Sequence, residues 1–236
     1  GWLDQLKHKN NIEIIYGDVR DFDSVNSAVA GCDYILNLAA MISVPYSFKN
    51  PQSFVDTNVL GLLNIIRSAT LNKKKIKKIV QISSSEVYGN LMNKGKKNLL
   101  ETDILKSESP YAASKISSDH LAISMFKTLN LPIVVARPFN TFGPRQSSRA
   151  IIPTAINQII KKPKQIFFGN LNTVRDLTYI DDTINAYCLC LKNKNRINGE
   201  TINLGIGKGY LIKDVINRII KLEKSSSKII ISKDRI

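Results

Sequence analysis

The stretch Ile79-Val80-Gln81-Ile82-Ser83-Ser84-Ser85-Glu86-Val87-Tyr88-Gly89 opens as a short apolar run and closes on three hydroxyls and a carboxylate. A β-branched run of this length, bounded by serines and a glycine, predicts a buried strand at 79–83. Working outward, Ile12–Tyr16 reads as a strand, Ser24–Ala30 as a helix and Tyr34–Leu38 as a buried strand. Phe54–Leu71 carries apolar residues at 55, 59, 62, 63 and 66, the spacing of a helix with one apolar face. Tyr111–Leu129 reads as a second long helix and Ile133–Ala136 as the next strand. Short strands alternating with helices predict an α/β fold, with a parallel sheet doubly wound by right-handed crossovers.

Past Arg137 the pattern changes. Pro138, Pro144, Pro153 and Pro163 punctuate a polar stretch with one expected helix at 150–161. A helix at Ile180–Leu191, a strand at Thr201–Leu204 and a helix at Leu211–Leu222 follow. The division expected is a sheet domain over 1–137, with elements of about 176–204 returning to it. A smaller, partial domain is interleaved over 138–175 and 205–236.

Composition narrows the function classes. The chain has 236 residues, 43% of them hydrophobic, enough for one large or two small cores. The net charge of +15 invites a nucleic-acid partner. Its excess is mostly Lys, 25 against 9 Arg, in runs such as Lys73–Lys78 and Lys94–Lys97 with no interleaved aromatic platform. Solvated loops and helix ends are the expected home of these charges, and no nucleic-acid partner is expected. A basic field still draws in a substrate bearing a diphosphate. No run approaches the roughly 18–20 apolar residues of a membrane span, and Gly1-Trp2-Leu3-Asp4 has no signal-peptide pattern. Cys32, Cys188 and Cys190 form no CxxC, so neither a metal site nor a disulfide framework is expected, and a reducing, cytoplasmic setting is.

The chemistry starts with Tyr111 and Lys115, one helical turn apart on one face. An ammonium beside a phenol favours the phenolate, which can take a hydroxyl proton while hydride leaves. Alone the pair means little: eight Tyr and 25 Lys yield about one Tyr-xxx-Lys by chance. Order in the chain supplies the rest. A strand ending at Ser84 and Glu86, then Ser109-Pro110 opening the helix with Tyr111 and Lys115, brings these groups to the carboxyl edge of the sheet, where open α/β sheets bind ligands. The competing reading of 83–89 is a serine-rich turn. The cluster Gly205-Ile206-Gly207-Lys208-Gly209 lacks dinucleotide-fingerprint spacing and reads as a strand-to-helix turn.

Together these motifs resemble the extended short-chain dehydrogenase/reductases that act on nucleotide sugars, over essentially the whole chain. The resemblance implies a Rossmann-type domain, an NAD cofactor, and a glycine fingerprint ahead of residue 1. It makes Ser84, Tyr111 and Lys115 the catalytic triad. Asp18 and Val19 in Gly17-Asp18-Val19-Arg20-Asp21, the strand end Leu38-Ala39-Ala40, and Asn58 in Asp56–Gly61 would hold the cofactor with Tyr111 and Lys115. Ser85, Asn140 and Arg145 in Arg137–Arg145, together with Arg149 and Arg175, would hold the nucleotide-diphosphate sugar. Glu86 points to the 4,6-dehydratase branch, as the base at C5. The likeness is nearest to the 4,6-dehydratases of legionaminic acid biosynthesis, which act on an N-acetylglucosamine nucleotide, through Gly1–Asp4, Ile42–Ser47 and Arg145–Pro153. One departure stands out: dTDP-glucose dehydratases carry Asp where this chain has Ser85, leaving Glu86 to act as base and acid or to relay through water. A UDP-glucuronate decarboxylase, a 4-epimerase of the same superfamily and a non-catalytic NAD-binding module are the alternative readings. The two long helices resemble the family's dimer interface and imply a homodimer. His8 and His120 match no motif and are expected to be structural.

Overall fold

The computed structural model describes residues 11–73, 75–94, 98–161, 164–193 and 196–232, with the side chains of 90–94 set aside. Gly1–Asp4, His8 and lysine-run positions 74 and 95–97 lie outside the described residues.

The main sheet is parallel and four-stranded, in the order β1 (Tyr34–Asn37), β2 (Lys78–Ile82), β3 (Ile133–Pro138), β7 (Thr201–Leu204). Both inner strands are buried on both faces, hence their mostly apolar character, with Lys78, Gln81 and Arg137 as the buried polar exceptions. Alternation divides their side chains between two cores. Ile79, Ile133 and Val135 pack against α1 (Phe22–Val29), α4 (Gly61–Leu71) and α5 (Pro110–Leu129). Val80, Ile82, Val134 and Ala136 face the other way, against Tyr187, Cys190 and Leu191 of α7 (Ile180–Lys192). The sheet is therefore wound on both faces, as expected.

Two expected strands differ. Ile12–Tyr16 forms none: Ile12, Ile14, Ile15 and Tyr16 are exposed. A β-prone run becomes a strand only against a ladder partner, and no described strand lies beside this one. For the same reason β1 is a half-exposed edge rather than a buried strand, with Tyr34 50% exposed.

The long helix expected over 54–71 is interrupted. α2 (Val44–Lys49) and α3 (Pro51–Val55) lead into a π-helical turn at Asp56–Leu60, and α4 continues from Gly61. The bulge turns the Asn58 carbonyl toward α5, where the Ser118 hydroxyl donates to it at 2.7 Å. Gly61 is required there, because a Cβ would stand 2.8 Å from Cγ1 of Val19.

The stretch after Arg137 holds more strand than its prolines advertise. β4 (Asn140–Phe142) pairs in parallel with β6 (Val174–Tyr179), and β8 (Gly209–Leu211) pairs antiparallel with β6. β5 (Gln165–Phe168) pairs with β9 (Lys228–Ile231). Around the latter pair, Ala155 and Ile159 of α6 (Ile151–Ile159) and Ile212 and Ile216 of α8 (Ile212–Leu222) close a third core. No helix among the described residues is long and apolar enough to cross a membrane.

Candidate active site

The carboxyl ends of β2 and β3 and the start of α5 meet at one edge of the main sheet. Ser109 caps α5, its hydroxyl accepting from the Ala112 N–H at 3.1 Å, and Pro110 fills the first turn. This places Tyr111 and Lys115 on the face of α5 that packs toward β2. Tyr111 is 8% and Lys115 3% exposed. The Lys115 ammonium donates to the Ile82 carbonyl, the last of β2, at 2.9 Å.

Directly after that carbonyl the chain turns into a 3₁₀ segment at Ser85–Lys94. The Ser84 hydroxyl accepts from the Glu86 N–H at 3.2 Å and lies near enough to the Tyr111 phenol to favour its ionised form. The Glu86 carboxylate lies near enough for its charge to disfavour the Tyr111 phenolate. Ser84, Glu86, Tyr111 and Lys115 are thus gathered at one place. The electrostatics differ from expectation, however. Burial pushes the Tyr111 phenol up, Glu86 and Asp119 add to that, and only the Ser84 hydroxyl opposes them. Lys115 is not among the groups that move it; burial lowers the lysine itself to about 8, with Asp119 opposing.

Glu86 lines a cavity of about 80 Å³, room for a few waters or the edge of one sugar ring, together with Ser85, Asn140, Arg175 and two residues the motif left out, Glu108 and Leu99. Glu108 arrives because the Lys106 N–H donates to the Val87 carbonyl at 2.8 Å, folding its segment onto the 3₁₀ turn. A second cavity of about 350 Å³ shares Asn140 and Arg175 and adds Gln146 and Thr173. Of the three candidate arginines, Arg175 lines both. Arg145, in left-handed conformation at φ 68°, and Arg149 are exposed on the loop after β4 and line neither.

The glycine cluster at 205–209 is explained by Asp176. Its buried carboxylate accepts from the backbone N–H groups of Ile206 at 3.1 Å and Gly207 at 2.8 Å, and from the Thr178 hydroxyl at 3.2 Å. Gly207 has φ +72°, the conformation that lets both N–H groups point at one anion. The chain's own carboxylate fills this nest, which makes it a turn, as expected, that also fixes the strand bearing Arg175.

Of the residues expected around a cofactor, Leu38, Ala39 and Ala40 directly follow β1. Leu38 and Ala39 are exposed and Ala40 half-buried, on a ledge pinned by Asn37, which accepts from the Ala39 N–H at 3.2 Å and donates to Gln81 at 2.7 Å. Asn58 is buried. Its amide binds the Met41 N–H at 2.8 Å, the Met41 carbonyl at 3.1 Å and the Ser114 hydroxyl at 2.8 Å, tying this ledge to α5. Asp18 is exposed and bound by Arg20 at 2.5 Å, which lowers its carboxyl to about 2. Val19 is half-buried against α4. No group of three or more His, Cys, Asp or Glu among the described residues is placed to hold a metal.

The main sheet, wound on both faces, with a Ser-Glu and Tyr-Lys pair converging at its carboxyl edge, is that of an extended short-chain dehydrogenase/reductase with a Rossmann-type sheet. The family model for GDP-mannose 4,6 dehydratase matches residues 1–234, and the chain belongs to that family. It is 33% identical over 198 residues to a dTDP-D-glucose 4,6-dehydratase of Dictyostelium discoideum, covering 80% of this chain and 45% of that one. It is 30% identical to a UDP-N-acetyl-α-D-glucosaminuronate decarboxylase of Bacillus cytotoxicus, covering 93% and 68%. Among solved structures, the UDP-glucuronic acid 4-epimerase of Bacillus cereus, in complex with UDP-glucuronic acid and NAD, superposes with a TM-score of 0.82 at 30% identity, covering 92% of this chain and 67% of that one. The chain spans 45–64% of the length of the first curated relatives it matches.

Proposed function

We propose that the chain forms the catalytic part of an NAD-dependent nucleotide-sugar 4,6-dehydratase, converting an NDP-hexose to its 4-keto-6-deoxy product. The observation that carries this reading is the Glu86 carboxylate, which lines a cavity with Asn140 and Arg175 and lies near enough to the Tyr111 phenol for its charge to act there: a carboxylate so placed gives a C5 base, which oxidation at C4 alone does not need.

The edge near β1 is the cofactor site in this reading: Leu38, Ala39 and Ala40 at the strand end, Asn58 holding the Met41 backbone just after them, and Asp18, Val19, Tyr111 and Lys115 completing the set. NAD, when bound, supplies the hydride acceptor and donor. Tyr111, steered by Ser84, would take the 4-hydroxyl proton as its phenolate, the form that burial opposes until cofactor and substrate are bound. Lys115, held against the Ile82 carbonyl, lends positive charge to that side of the pocket. Glu86 then removes the C5 proton, which the C4 ketone has made acidic, and the 6-hydroxyl departs as water; return of the hydride to C6 and of a proton to C5 would complete the 4-keto-6-deoxy product. With Ser85 beside it, Glu86 gives its proton to the leaving hydroxyl directly or through water. Asn140 and Arg175 bind the sugar and the diphosphate, and Arg145 and Arg149 contact the nucleotide from the loop after β4. In this reading residues 1–137 with about 176–204 serve the cofactor, and 138–175 with 205–236 serve the substrate.

The substrate we favour is GDP- or UDP-N-acetylglucosamine, in the legionaminic acid pathway. The decarboxylase relative named for an N-acetylated UDP-sugar supports a 2-acetamido group, and the family model named for a GDP-sugar supports the other base. Phe48, Val55 and Leu60, exposed beside α5, are the proposed homodimer face. Incubating the full-length protein and NAD⁺ with UDP-, GDP- and dTDP-sugars tests the reading by NMR and mass. A C6 methyl beside a 4-ketone, without CO₂ release, is expected. Release of CO₂ from a uronic acid, or inversion at C4 alone, assigns the chain to the decarboxylase or epimerase branch instead.

A further inference from the structure

Behind the candidate site runs a buried polar chain to which the proposed chemistry gives no role. At its centre is Arg137, the last charged residue of β3 and 4% exposed. Its Nε donates to Asp119 Oδ2 at 2.8 Å. Its Nη1 donates to the Tyr88 hydroxyl at 2.8 Å, and the guanidinium lies 5.0 Å over the Tyr88 ring. Tyr88, fully buried, donates in turn to Asn203 Oδ1 at 2.7 Å, and the Asn203 amide donates to the Leu99 carbonyl at 3.1 Å. Leu99 is a wall of the cavity that holds Glu86.

We propose that Arg137 is a positioning residue that sets Glu86 and the Tyr111–Lys115 pair in register with each other. The inference rests on the dehydratase reading. Its two arms reach the two halves of the site separately. Tyr88 sits two residues beyond Glu86 on the same 3₁₀ turn, and Asp119 sits one helical turn beyond Lys115 and two beyond Tyr111 on the same face of α5. The guanidinium has the geometry for this, since its rigid fork fixes the angle between two partners where an ammonium fixes none. Stability alone does not account for the arrangement. A buried ion pair is often no more stabilising than apolar side chains of the same volume, and fixing register is its best-attested use. Burial also raises the Asp119 carboxyl, with Arg137 the largest influence opposing that shift.

Two variants separate the arms without emptying the core. Tyr88→Phe removes one hydroxyl and keeps the ring; Asp119→Asn keeps shape and one oxygen. In the full-length enzyme, oxidation at C4 is followed at 340 nm and C5–H exchange by solvent deuterium incorporation. Tyr88→Phe is expected to slow C5 exchange at least about tenfold while C4 oxidation stays within about twofold. Asp119→Asn is expected to slow C4 oxidation by at least about tenfold. Arg137→Lys should slow both, with KM little changed. Equal slowing of both steps by both single variants, tracking lost thermal stability, would mark the network as merely structural and overturn the inference, as would no effect on either. A wild-type enzyme that performs neither step on any nucleotide sugar instead removes the dehydratase reading beneath it.

Discussion

Lys115 illustrates what burial does to a residue that chemistry needs. Its ammonium is 3% exposed and lowered from 10.5 to about 8, a burden of roughly 3 kcal/mol at about 1.4 kcal/mol per unit, present wherever the folded-state amine is still charged. The sign follows from proton counting. Between pH 8 and 10.5 the unfolded chain holds a proton that the folded one has released, so stability rises with pH across that window; below 8 the burden is carried in full. Lys115→Met is therefore expected to be inactive yet more stable than wild type at pH 7, with the difference shrinking as pH climbs from 8 toward 10.5, as read by denaturant titration at several pH values. A constant difference would mean that the amine is not desolvated. The pair was legible in the sequence through its spacing and the serine-glutamate run before it. The direction of the Tyr111 shift was not, because spacing gives adjacency on a helix while desolvation depends on Phe54 and on the strand packed against that face.

At the scale of elements, legibility followed hydrogen-bonding partners. β2 and β3 come from mostly apolar β-branched runs and α5 and α7 from long stretches free of breakers, and all four stand within a residue or two of their expected bounds. Ile12–Tyr16 has the composition of a strand and no described partner, which composition cannot reveal. β4 and β8 are three residues long, too short for alternation to register, and exist because β6 runs between them. The π-turn at Asp56–Leu60 was hidden for a similar reason, since its cause is the Ser118 hydroxyl across the helix interface. Gly61→Ala tests the neighbouring contact between α4 and the loop that carries Val19. Alanine favours a helix by about 1 kcal/mol, but its methyl must displace Val19, and overpacking costs about 1–3 kcal/mol. A net loss of about 1 kcal/mol in denaturant unfolding is expected, with faster amide exchange in the Val19–Arg20 segment that Asn64 pins at 3.1 and 2.9 Å. A net gain in stability would show that the close approach of helix and loop is loosely packed.

Across the whole molecule, the main sheet edge carries the ledge at 38–40, the turn at 84–86 and the helix start at 111–115, while the strand at 174–179 comes from the sheet of β4, β6 and β8. Glu86 and Arg175 share one cavity wall. Motif order was enough to anticipate this convergence, because parallel strands place their carboxyl ends on one edge. It could not anticipate Glu108, Leu99 or the clasp of Asp176 on the 205–209 loop, which depend on how the later segments fold back. The account's central claim is that the Glu86 carboxylate and the Tyr111 phenol act on one hexose ring in succession. Glu86→Gln, given substrate and NAD⁺ in D₂O, tests it most directly. The variant is expected to bind both and to develop the 340 nm absorbance of C4 oxidation, while solvent deuterium at C5 and 4-keto-6-deoxy product fall by about 10²–10⁴-fold. Deuterium incorporation at C5 at the wild-type rate would place the base elsewhere and contradict the account.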